Sequence, residues 1–294
     1  MVSAATSGTI SAMRPLDDAE FDRWVRLLEA RTGVIVPPER KPFLETGLRR
    51  RMRETGHTGF QNYYDDLIKG ARGAVEWASL VDHLTVHETH FFRHPPSMAL
   101  IREEWLPRWL ASAETDASLH ALSIGCSTGE EAFSLAMLLD AELASSAPDR
   151  RFGVTATDVS QAALAVARTG EYPMRRIAEI PAPYRAQVEM LEGAENFRIN
   201  DRLRKRVGFA CVNLLHASRA PLRRLDIIYC QNVLIYFARE RRGEMLDALV
   251  ELLQPNGLLV LGPGEAPGWS HPDMRRTGGP QTLAYLRNTK ETLA

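Results

Sequence analysis

The stretch Leu122–Glu131, which reads Leu-Ser-Ile-Gly-Cys-Ser-Thr-Gly-Glu-Glu, decides the fold class of this chain. An apolar strand runs into a turn bracketed by Gly125 and Gly129, and an amphipathic helix follows. This order is typical of an α/β sheet that binds a nucleotide-like ligand at the carboxyl ends of its strands. The dinucleotide fingerprint G-x-G-x-x-G is incomplete, because Ser127 and Glu130 replace its second and third glycines.

The acidic pair at the start of this helix indicates the charge of the ligand. Glu130 and Glu131 stand where a dinucleotide fold would place a phosphate, and two carboxylates would repel one. They favour a cofactor that carries positive charge and no phosphate, and S-adenosylmethionine, with its sulfonium and amino group, is the common one. The alternative is that both acids merely stabilise a helix N-terminus.

Two further strands extend the predicted site. Residues 152–157 read as a strand that ends at Asp158, whose carboxylate is placed to accept hydrogen bonds from ribose hydroxyls. The alternative for Asp158 is a turn or a helix cap. A third apolar strand, residues 225–230, leads to the polar pair Gln231 and Asn232, and this strand end is also where open α/β sheets bind ligands.

Composition sets the class of protein. With 294 residues, 45% hydrophobic and 25% charged, the chain is long enough for about two domains. No apolar run approaches the roughly 20 residues that span a bilayer. A net charge of −1 predicts neither a nucleic-acid partner nor membrane insertion. Three cysteines without C-x-x-C spacing favour a reducing cytoplasm, and residues 1–14 read as a flexible tail that lacks the features of a secretory signal.

The N-terminal third is predicted to be a separate helical domain, residues 15–86. Asp17–Glu20 forms a capping box, and four amphipathic segments follow. The second segment is expected to direct a cluster of arginines largely outward: Arg49, Arg50, Arg51 and Arg53. This cluster is either a solvated face or, with Arg49, Arg50 and Arg53, a docking surface for an acidic partner.

Four histidines raise a metal site as an alternative for the next segment. His83, His87, His90 and His94 would line one face of a continuous helix. The motif is H-E-x-H and not the zincin H-E-x-x-H, and two prolines follow His94 directly, which opposes a helix there. We therefore expect no metal.

Four motifs in series resemble the signature of the CheR family, the chemotaxis receptor methyltransferases. They occupy Thr85–Arg93, Gly125–Ser134, Val212–Leu215 and Cys230–Phe237. The resemblance extends from about residue 15 to residue 288, and its finer features are similar to the PilK branch of type IV pilus chemosensory systems. These features lie at Arg14–Leu16, Pro37–Arg40 and Arg72–Trp77.

The resemblance implies a domain organisation. A class I S-adenosylmethionine-dependent methyltransferase (Rossmann-like) α/β sheet, residues 113–294, follows a helical receptor-docking domain, residues 15–86, and a linker, residues 87–112. It also implies a small antiparallel β insertion at about residues 193–211. Asn196–Ile199 and Arg206–Ala210 are expected to supply its strands.

The resemblance also implies roles for individual residues. Glu131 holds the methionine amino group and Asp158 the ribose. The remaining cofactor contacts are expected from His87, Thr89, Arg93, Asn213, Leu214, Gln231 and Asn232. His87 and Gln231 stand where the family usually has asparagine and arginine.

The implied reaction is methylation of glutamate side chains on the cytoplasmic helical bundle of a methyl-accepting chemotaxis protein, with S-adenosylhomocysteine as the second product. A glutamate with a pKa of about 4.3 is ionised at neutral pH and needs no general base, so the enzyme's task is orientation. Arg93 and Tyr236 are the candidate catalytic residues, and the alternative for Tyr236 is a core aromatic. Two other functions stay open: a methyltransferase of the same fold with another substrate, and a cofactor-binding module without turnover.

Overall fold

A computed structural model describes residues 14–289 except Val86, Thr115, Ala194 and Ala220. Most of the predicted tail, residues 1–13, therefore lies outside the described part. The described chain divides into two compact units. The first comprises residues 14–31 with Ile35–Leu84, and the second comprises Thr32–Val34 with residues 85–289.

The first unit is entirely helical in its described residues. It contains α1 (Asp18–Thr32, whose last residue belongs to the second unit), a 3₁₀ turn (Pro38–Arg40), α2 (Lys41–Thr55), α3 (Phe60–Leu67) and α4 (Gly70–Leu84). The predicted capping box is confirmed, since the Glu20 amide donates to Asp17 Oδ1 at 2.8 Å and the Asp17 amide donates to Glu20 Oε2 at 3.2 Å. The helices enclose a core formed by Leu16, Phe21, Trp24, Leu28, Leu44, Leu48, Met52, Phe60, Tyr63, Leu67 and Leu80.

The outward direction expected of Arg51 is wrong. Its guanidinium donates to both carboxylate oxygens of Glu76, at 2.9 and 2.6 Å, and the Tyr63 hydroxyl donates to Glu76 Oε1 at 2.6 Å. A half-buried carboxylate is stable only when its oxygens accept hydrogen bonds, and Arg51 therefore points towards Glu76 and not to solvent. The result is a polar link between α2, α3 and α4.

The second unit is built on a seven-stranded sheet. Ten strands are described in this unit: β1 (Ser118–Ile124), β2 (Arg151–Asp158), β3 (Glu171–Pro173), β4 (Val188–Met190), β5 (Asn196–Ile199), β6 (Val207–Cys211), β7 (Leu225–Cys230), β8 (Leu253–Leu261), β9 (Met274–Thr277) and β10 (Leu283–Arg287). The order in the large sheet is β6-β2-β1-β7-β8-β10-β9, and β3-β5-β4 form a small antiparallel sheet. The first five strands of the large sheet are parallel, while β10 is antiparallel to both of its neighbours. The α/β class, the helical first unit and the small antiparallel sheet expected from the resemblance are confirmed.

Alternation along the strands explains why both faces of the large sheet are covered. Leu119 and Ala121 of β1 point to one apolar cluster, whereas Leu122 and Ile124 point to another. The first cluster includes the apolar residues of α7 (Glu130–Ser146), and the second those of α10 (Arg239–Leu252). The described chain also contains α8 (Gln161–Thr169), α9 (Asp201–Arg204) and 3₁₀ segments at Met174–Glu179, Ala182–Gln187, Leu214–Arg219 and Leu234–Tyr236.

The prediction that residues 87–112 form a linker is wrong. This segment contains α5 (Pro95–Ala99), a π-helical turn (Leu100–Trp105) and α6 (Leu106–Ser112). Its aromatic and aliphatic side chains, including Phe91, Ile101 and Trp105, lie in the same core cluster as α7. Burial of such side chains stabilises by roughly 1.5–3 kcal/mol each, so the segment is part of the second unit's core.

The predicted β insertion is also placed incorrectly. Asn196–Ile199 does form the central strand of the small sheet, but that sheet starts at Glu171. Residues 207–211 pair in parallel with β2 at the edge of the large sheet, with Val207 opposite Val154. The apolar faces of Val207 and Phe209 pack on the core, and short strands of this kind do not reveal from sequence which sheet they join.

Among the residues described, no helix combines the length and the apolar character needed to cross a membrane.

Candidate functional site

The candidate site lies where loops leave the carboxyl ends of β1, β2 and β7. Parallel neighbours bring these ends to the same edge of the sheet. The Gly125 amide donates to the Thr157 carbonyl at 2.7 Å, and the Ser127 amide donates to Asp158 Oδ2 at 2.8 Å. The loop after β1 is therefore fastened directly to the end of β2.

The loop after β1 needs its glycines for two reasons. Gly125 and Gly129 have φ values of +69° and +96°, which favour glycine, and Ser127 adopts the same region with φ +49°. A Cβ atom on Gly125 would overlap the side chain of Val233, which follows β7. The absence of a side chain at Gly125 therefore lets the loop after β1 approach the loop after β7.

Asp158 lies at the carboxyl end of β2, where the sequence predicts a ribose acceptor. Its Oδ2 accepts from the Ser127 amide, and its Oδ1 accepts from the Ser160 amide at 2.9 Å. The bond to the Ser160 amide, two residues on, is a turn, as the alternative for Asp158 expected. The helix cap is Ser160, whose hydroxyl accepts from the Ala163 amide at 3.0 Å at the start of α8. Each Asp158 oxygen retains acceptor capacity for a ligand hydroxyl.

Ser127 gives an independent indication of a polar ligand. Its hydroxyl oxygen is buried and, among the described atoms, makes no hydrogen bond. Buried hydroxyls are nearly always paired in folded proteins. An unsatisfied hydroxyl beside Asp158 fits a loop that completes its hydrogen bonds with a nucleoside.

The two acids at the start of α7 have different environments. Glu130 is 1% exposed, and its carboxylate accepts from the Thr128 hydroxyl at 2.6 Å and from Arg176 Nη1 at 2.5 Å. These contacts give Glu130 a structural role. Glu131 accepts from the Ser123 hydroxyl at 2.7 Å, and within the described residues it has no ion pair within 4.0 Å.

The electrostatics of Glu131 suit a cationic ligand. Burial raises the pKa of Glu131 to about 8, the Ser123 hydrogen bond and the charge of Arg93 lower it, and the carboxylate of Glu265 raises it. A half-buried carboxylate with no ion pair among the described residues favours a ligand that brings a positive charge. Glu131 can therefore receive the amino group of S-adenosylmethionine.

The segment that precedes α5 brings Thr89 and Arg93 towards this edge of the sheet. Thr89 is 9% exposed, and the Arg93 guanidinium donates to the Glu88 carbonyl at 2.9 Å. The charge of Arg93 acts on Glu131, which places the two side chains in one electrostatic environment. Arg93 is half-buried and retains further N–H donors for a ligand.

Two residues of the 3₁₀ segment Met174–Glu179 hold this backbone in place, and the sequence did not indicate them. Arg176 Nη1 donates to the Thr89 carbonyl at 2.9 Å as well as to Glu130, and the Phe91 amide donates to Glu179 Oε2 at 3.0 Å. No local pattern reveals these contacts, because the partners are more than 80 residues apart in the chain for both backbone bonds.

The four histidines do not share a helix face. Helix α4 ends at Leu84, and residues 87–90 have no regular structure. His94 Nδ1 accepts from the Ser97 amide at 3.3 Å and thereby caps α5, and burial lowers the pKa of His94. His87 Nε2 lies 2.9 Å from the Thr85 hydroxyl. The described residues contain no group of three or more potential ligands placed to hold a metal.

The loop after β7 is shaped by Glu265, another residue that the sequence did not indicate. Asn232 has φ +59°, and the amides of residues 232–235 all point to the Glu265 carboxylate. Tyr236 ends the 3₁₀ turn Leu234–Tyr236 and is half-buried against the apolar cluster around α10. This packing is the feature expected of the core alternative, and the residue stays partly exposed.

Gln231 is held inside the second unit. Its Oε1 accepts from the Tyr229 hydroxyl at 3.0 Å, and its Nε2 donates to Ser97 Oγ at 2.9 Å and to the Leu261 carbonyl at 3.1 Å. Both amide hydrogens are thereby engaged. These contacts connect the end of β7 to α5 and to the end of β8, so Gln231 supports the structure below the site.

Asn213 and Leu214 follow β6 at the same edge of the large sheet. The Asn213 carboxamide accepts from the Leu215 amide at 2.9 Å and donates to the Thr32 carbonyl at 3.3 Å. Leu214 is 7% exposed and lines an apolar cavity of about 150 Å³ with Ile124 and Thr157. The Asn213 side chain thus shapes the turn after β6.

The predicted docking arginines lie on α2 of the helical unit and differ in availability. Arg49 is turned back onto its own unit, where it donates to Glu45 at 2.7 Å and to the Arg14 carbonyl at 2.7 Å. Arg50 is 64% exposed and forms a 3.3 Å pair with Glu54. Arg53 is exposed and forms no ion pair among the residues described. Arg50 and Arg53, three residues apart, present one basic face.

Comparison with known proteins agrees with this geometry. The family model of the CheR methyltransferase SAM-binding domain matches residues 87–279, and that of the CheR all-alpha domain matches residues 19–85. The probable biofilm formation methyltransferase WspC of Pseudomonas aeruginosa PAO1 is 33% identical over 274 residues, which is 92% of this chain and 62% of WspC. The chemotaxis protein methyltransferase of Escherichia coli K12 is 31% identical over 275 residues, 92% of each chain. Chemotaxis protein methyltransferase 1 of Pseudomonas aeruginosa PAO1 is 30% identical, over 85% of this chain and 90% of that one.

Proposed function

We propose that this chain methylates glutamate side chains of a methyl-accepting chemotaxis protein. The premise is that the chain belongs to the CheR methyltransferase family and has S-adenosylmethionine as its cofactor. The products would be γ-carboxyl methyl esters and S-adenosylhomocysteine. The observation that carries this proposal is the pair of acids at one sheet edge, Asp158 beside the unpaired Ser127 hydroxyl and Glu131 without an ion pair of its own.

The cofactor contacts follow from these groups. Asp158 would hold the ribose hydroxyls and Glu131 the methionine ammonium, while Leu214 would contact the adenine. Thr89 and Arg93 would approach from the segment before α5, with Asn232 on the opposite side. When bound, S-adenosylmethionine supplies an electrophilic methyl group on a sulfonium centre.

The protein's contribution to the transfer is orientation. The acceptor carboxylate is already ionised at neutral pH, so no side chain has to remove a proton. The remaining donors of Arg93 and the hydroxyl of Tyr236 would align a carboxylate oxygen with the methyl carbon and sulfur. Alignment of this kind is worth several kcal/mol, up to about 7–11 kcal/mol in well-oriented intramolecular reactions.

The helical unit would provide the receptor contact. Arg50 and Arg53 form a basic face that suits the acidic surface of a receptor's cytoplasmic helical bundle, and the reaction would take place in the cytoplasm. The name of the WspC relative fits a biofilm-related pathway, the names of the Escherichia coli and second Pseudomonas aeruginosa relatives fit chemotaxis, and the PilK-like features fit pilus motility. These are alternatives for the pathway within one reaction class.

The decisive experiment is methyl transfer from tritiated S-adenosylmethionine to purified receptor cytoplasmic domains. Alkali-labile label on glutamate-containing peptides is expected. Transfer to another protein or a small molecule instead would favour the same-fold alternative. Tight S-adenosylhomocysteine binding without transfer to any tested receptor would favour a binding module that has lost turnover.

The docking role has its own test, replacement of Arg50 and Arg53 by Glu. Receptor methylation is expected to fall at least tenfold at physiological salt, because charge complementarity governs the encounter, while S-adenosylhomocysteine affinity stays unchanged. Arg31→Glu in the same unit is the control for charge reversal away from the basic face, with one reversal where the test variant has two, because the Arg31 guanidinium lies over the Trp77 ring. If methylation equals that of the control variant, the arginine cluster is a solvated face and not a docking surface.

A further inference from the structure

The Glu265 carboxylate is a buried acceptor that serves only backbone amides among the described contacts. The residue is 0% exposed. Oε1 accepts from the amides of Val233 and Leu234 at 2.8 Å each and from Ile235 at 3.4 Å, while Oε2 accepts from Asn232 at 3.0 Å and from Gly262 at 2.7 Å. Four of these five donors are consecutive in the loop after β7.

This arrangement imposes the shape of the loop. Consecutive amides that converge on one point require an unusual backbone, and Asn232 supplies it with φ +59°. An amide that faces the protein interior without an acceptor is unfavourable, so without the carboxylate the loop would open to find other acceptors. Gly262 is also required, because a Cβ atom there would overlap Glu265 Oε2.

The loop in turn touches the cofactor loop. Val233 packs against the bare backbone of Gly125, and Asn232 and Tyr236 lie on either side of Val233 in sequence. A shift of this loop would therefore move Asn232, proposed to contact the cofactor, and Tyr236, proposed to orient the acceptor. Misplacement by about 1 Å costs on the order of a hundredfold in rate when catalysis depends on orientation.

We propose that Glu265 is a positioning residue of the methyl-transfer reaction, which sets the conformation of residues 232–236 by gathering their amides on its carboxylate. It touches neither cofactor nor substrate and acts through Asn232 and Tyr236. The inference rests on the proposed function for its kinetic consequence, whereas the loop conformation itself can be measured without activity.

The test replaces Glu265 by Gln, which keeps the size of the side chain but replaces one acceptor oxygen with an NH₂ group that faces amide donors. Amide hydrogen exchange at residues 232–235 is expected to accelerate at least tenfold. The turnover number is expected to fall at least tenfold, with a smaller change in the KM for S-adenosylmethionine, because only Asn232 of the proposed cofactor contacts lies on this loop, whereas Asp158 and Glu131 lie on others.

Asp226→Asn is the matched control for a loss of stability. Asp226 is a 1% exposed carboxylate at the amino end of β7, the opposite end from the loop, and it accepts from Trp109 Nε1 at 2.6 Å and from the His120 amide at 2.7 Å. Its replacement is expected to lower the melting temperature without selective exchange at residues 232–235 and with turnover within twofold of wild type below the transition. Gly262→Ala, which displaces the carboxylate by overlap, serves as a second variant if Glu265→Gln does not fold.

The outcomes are distinguishable. If exchange at residues 232–235 in both Glu265→Gln and Gly262→Ala accelerates no more than in Asp226→Asn, the positioning role is overturned. Faster exchange with unchanged turnover also overturns it. If the wild-type chain transfers no methyl group to any receptor, the proposed function fails, and the exchange measurement still decides whether Glu265 holds the loop.

Discussion

The protonation of Glu131 should make cofactor binding depend strongly on pH. Burial raises the pKa of Glu131 to about 8 in the ligand-free protein, and Glu131 is proposed to bind the ligand's ammonium only as a carboxylate. Below pH 8 the ligand must therefore displace a proton. The sign follows: affinity for S-adenosylhomocysteine rises with pH up to about 8 and then levels off.

The magnitude follows from the same value. With a pKa of about 8, the carboxylate form makes up about one part in a hundred at pH 6, about one in eleven at pH 7 and one half at pH 8. The dissociation constant is thus expected to fall about fifty-fold from pH 6 to pH 8, and binding at pH 7 should release about 0.9 proton. For the ligand-free protein, the contribution of this group to folding stability is present at low pH and is lost as pH rises through about 8.

Isothermal titration calorimetry in buffers of different ionisation enthalpy measures both the affinity and the proton count. Glu131→Gln is the matched control, because it keeps the Ser123 hydrogen-bond acceptor but cannot titrate, so it reports the titration of the ligand's own amino group. The charged neighbours of Glu131 are Arg93 and Glu265, and neither is replaced in this comparison. Equal pH profiles for the wild type and the variant between pH 6 and pH 8 would refute the role assigned to Glu131.

Two further predictions concern the other polar groups of the site. Asp158→Ala should weaken S-adenosylhomocysteine binding at least tenfold in a titration, because each charge-assisted hydrogen bond to the ribose is worth about 1.5–3 kcal/mol. The control is Ser160→Ala, which removes only the cap of α8. It should lower stability and leave the affinity within threefold of wild type. Equal affinities in the two variants would show that Asp158 does not bind the ribose and only holds the backbone of its loop. Arg93→Lys retains the charge but loses the planar fork, so single-turnover methyl transfer should slow by tenfold or more, about 1.4 kcal/mol, with a far smaller change in cofactor affinity. Parallel losses of transfer and affinity would place Arg93 among the cofactor contacts only.

The N-terminal unit shows both the strength and the limit of local patterns. The capping box at Asp17–Glu20 and the amphipathic periods predicted its helices, because these signals depend on residues three or four positions apart. The direction of Arg51 was wrong because its partner Glu76 lies 25 residues away on another helix. Periodicity reports which side of a helix is apolar, but it does not report which acid will draw a guanidinium inward.

By itself, the sequence determined the α/β class, the loop after β1 and the positions of the acids beside it. Leu122–Glu131 combines a strand, a glycine turn and a helix start, and each of these follows from short-range sterics and polarity, so no distant contact was needed to predict them. The position of Asp158 followed in the same way, because a polar residue at the end of a buried parallel strand lies at the ligand edge of the sheet.

Only the tertiary structure decided how the site is supported. Residues 207–211 join the large sheet through the register of Val207 with Val154, and residues 87–112 pack into its core. Arg176 reaches the Thr89 carbonyl 87 residues away, and Glu265 gathers amides about 30 residues before it. Such contacts satisfy buried donors and acceptors after the chain has folded, and their partners depend on topology, so spacing along the sequence does not specify them.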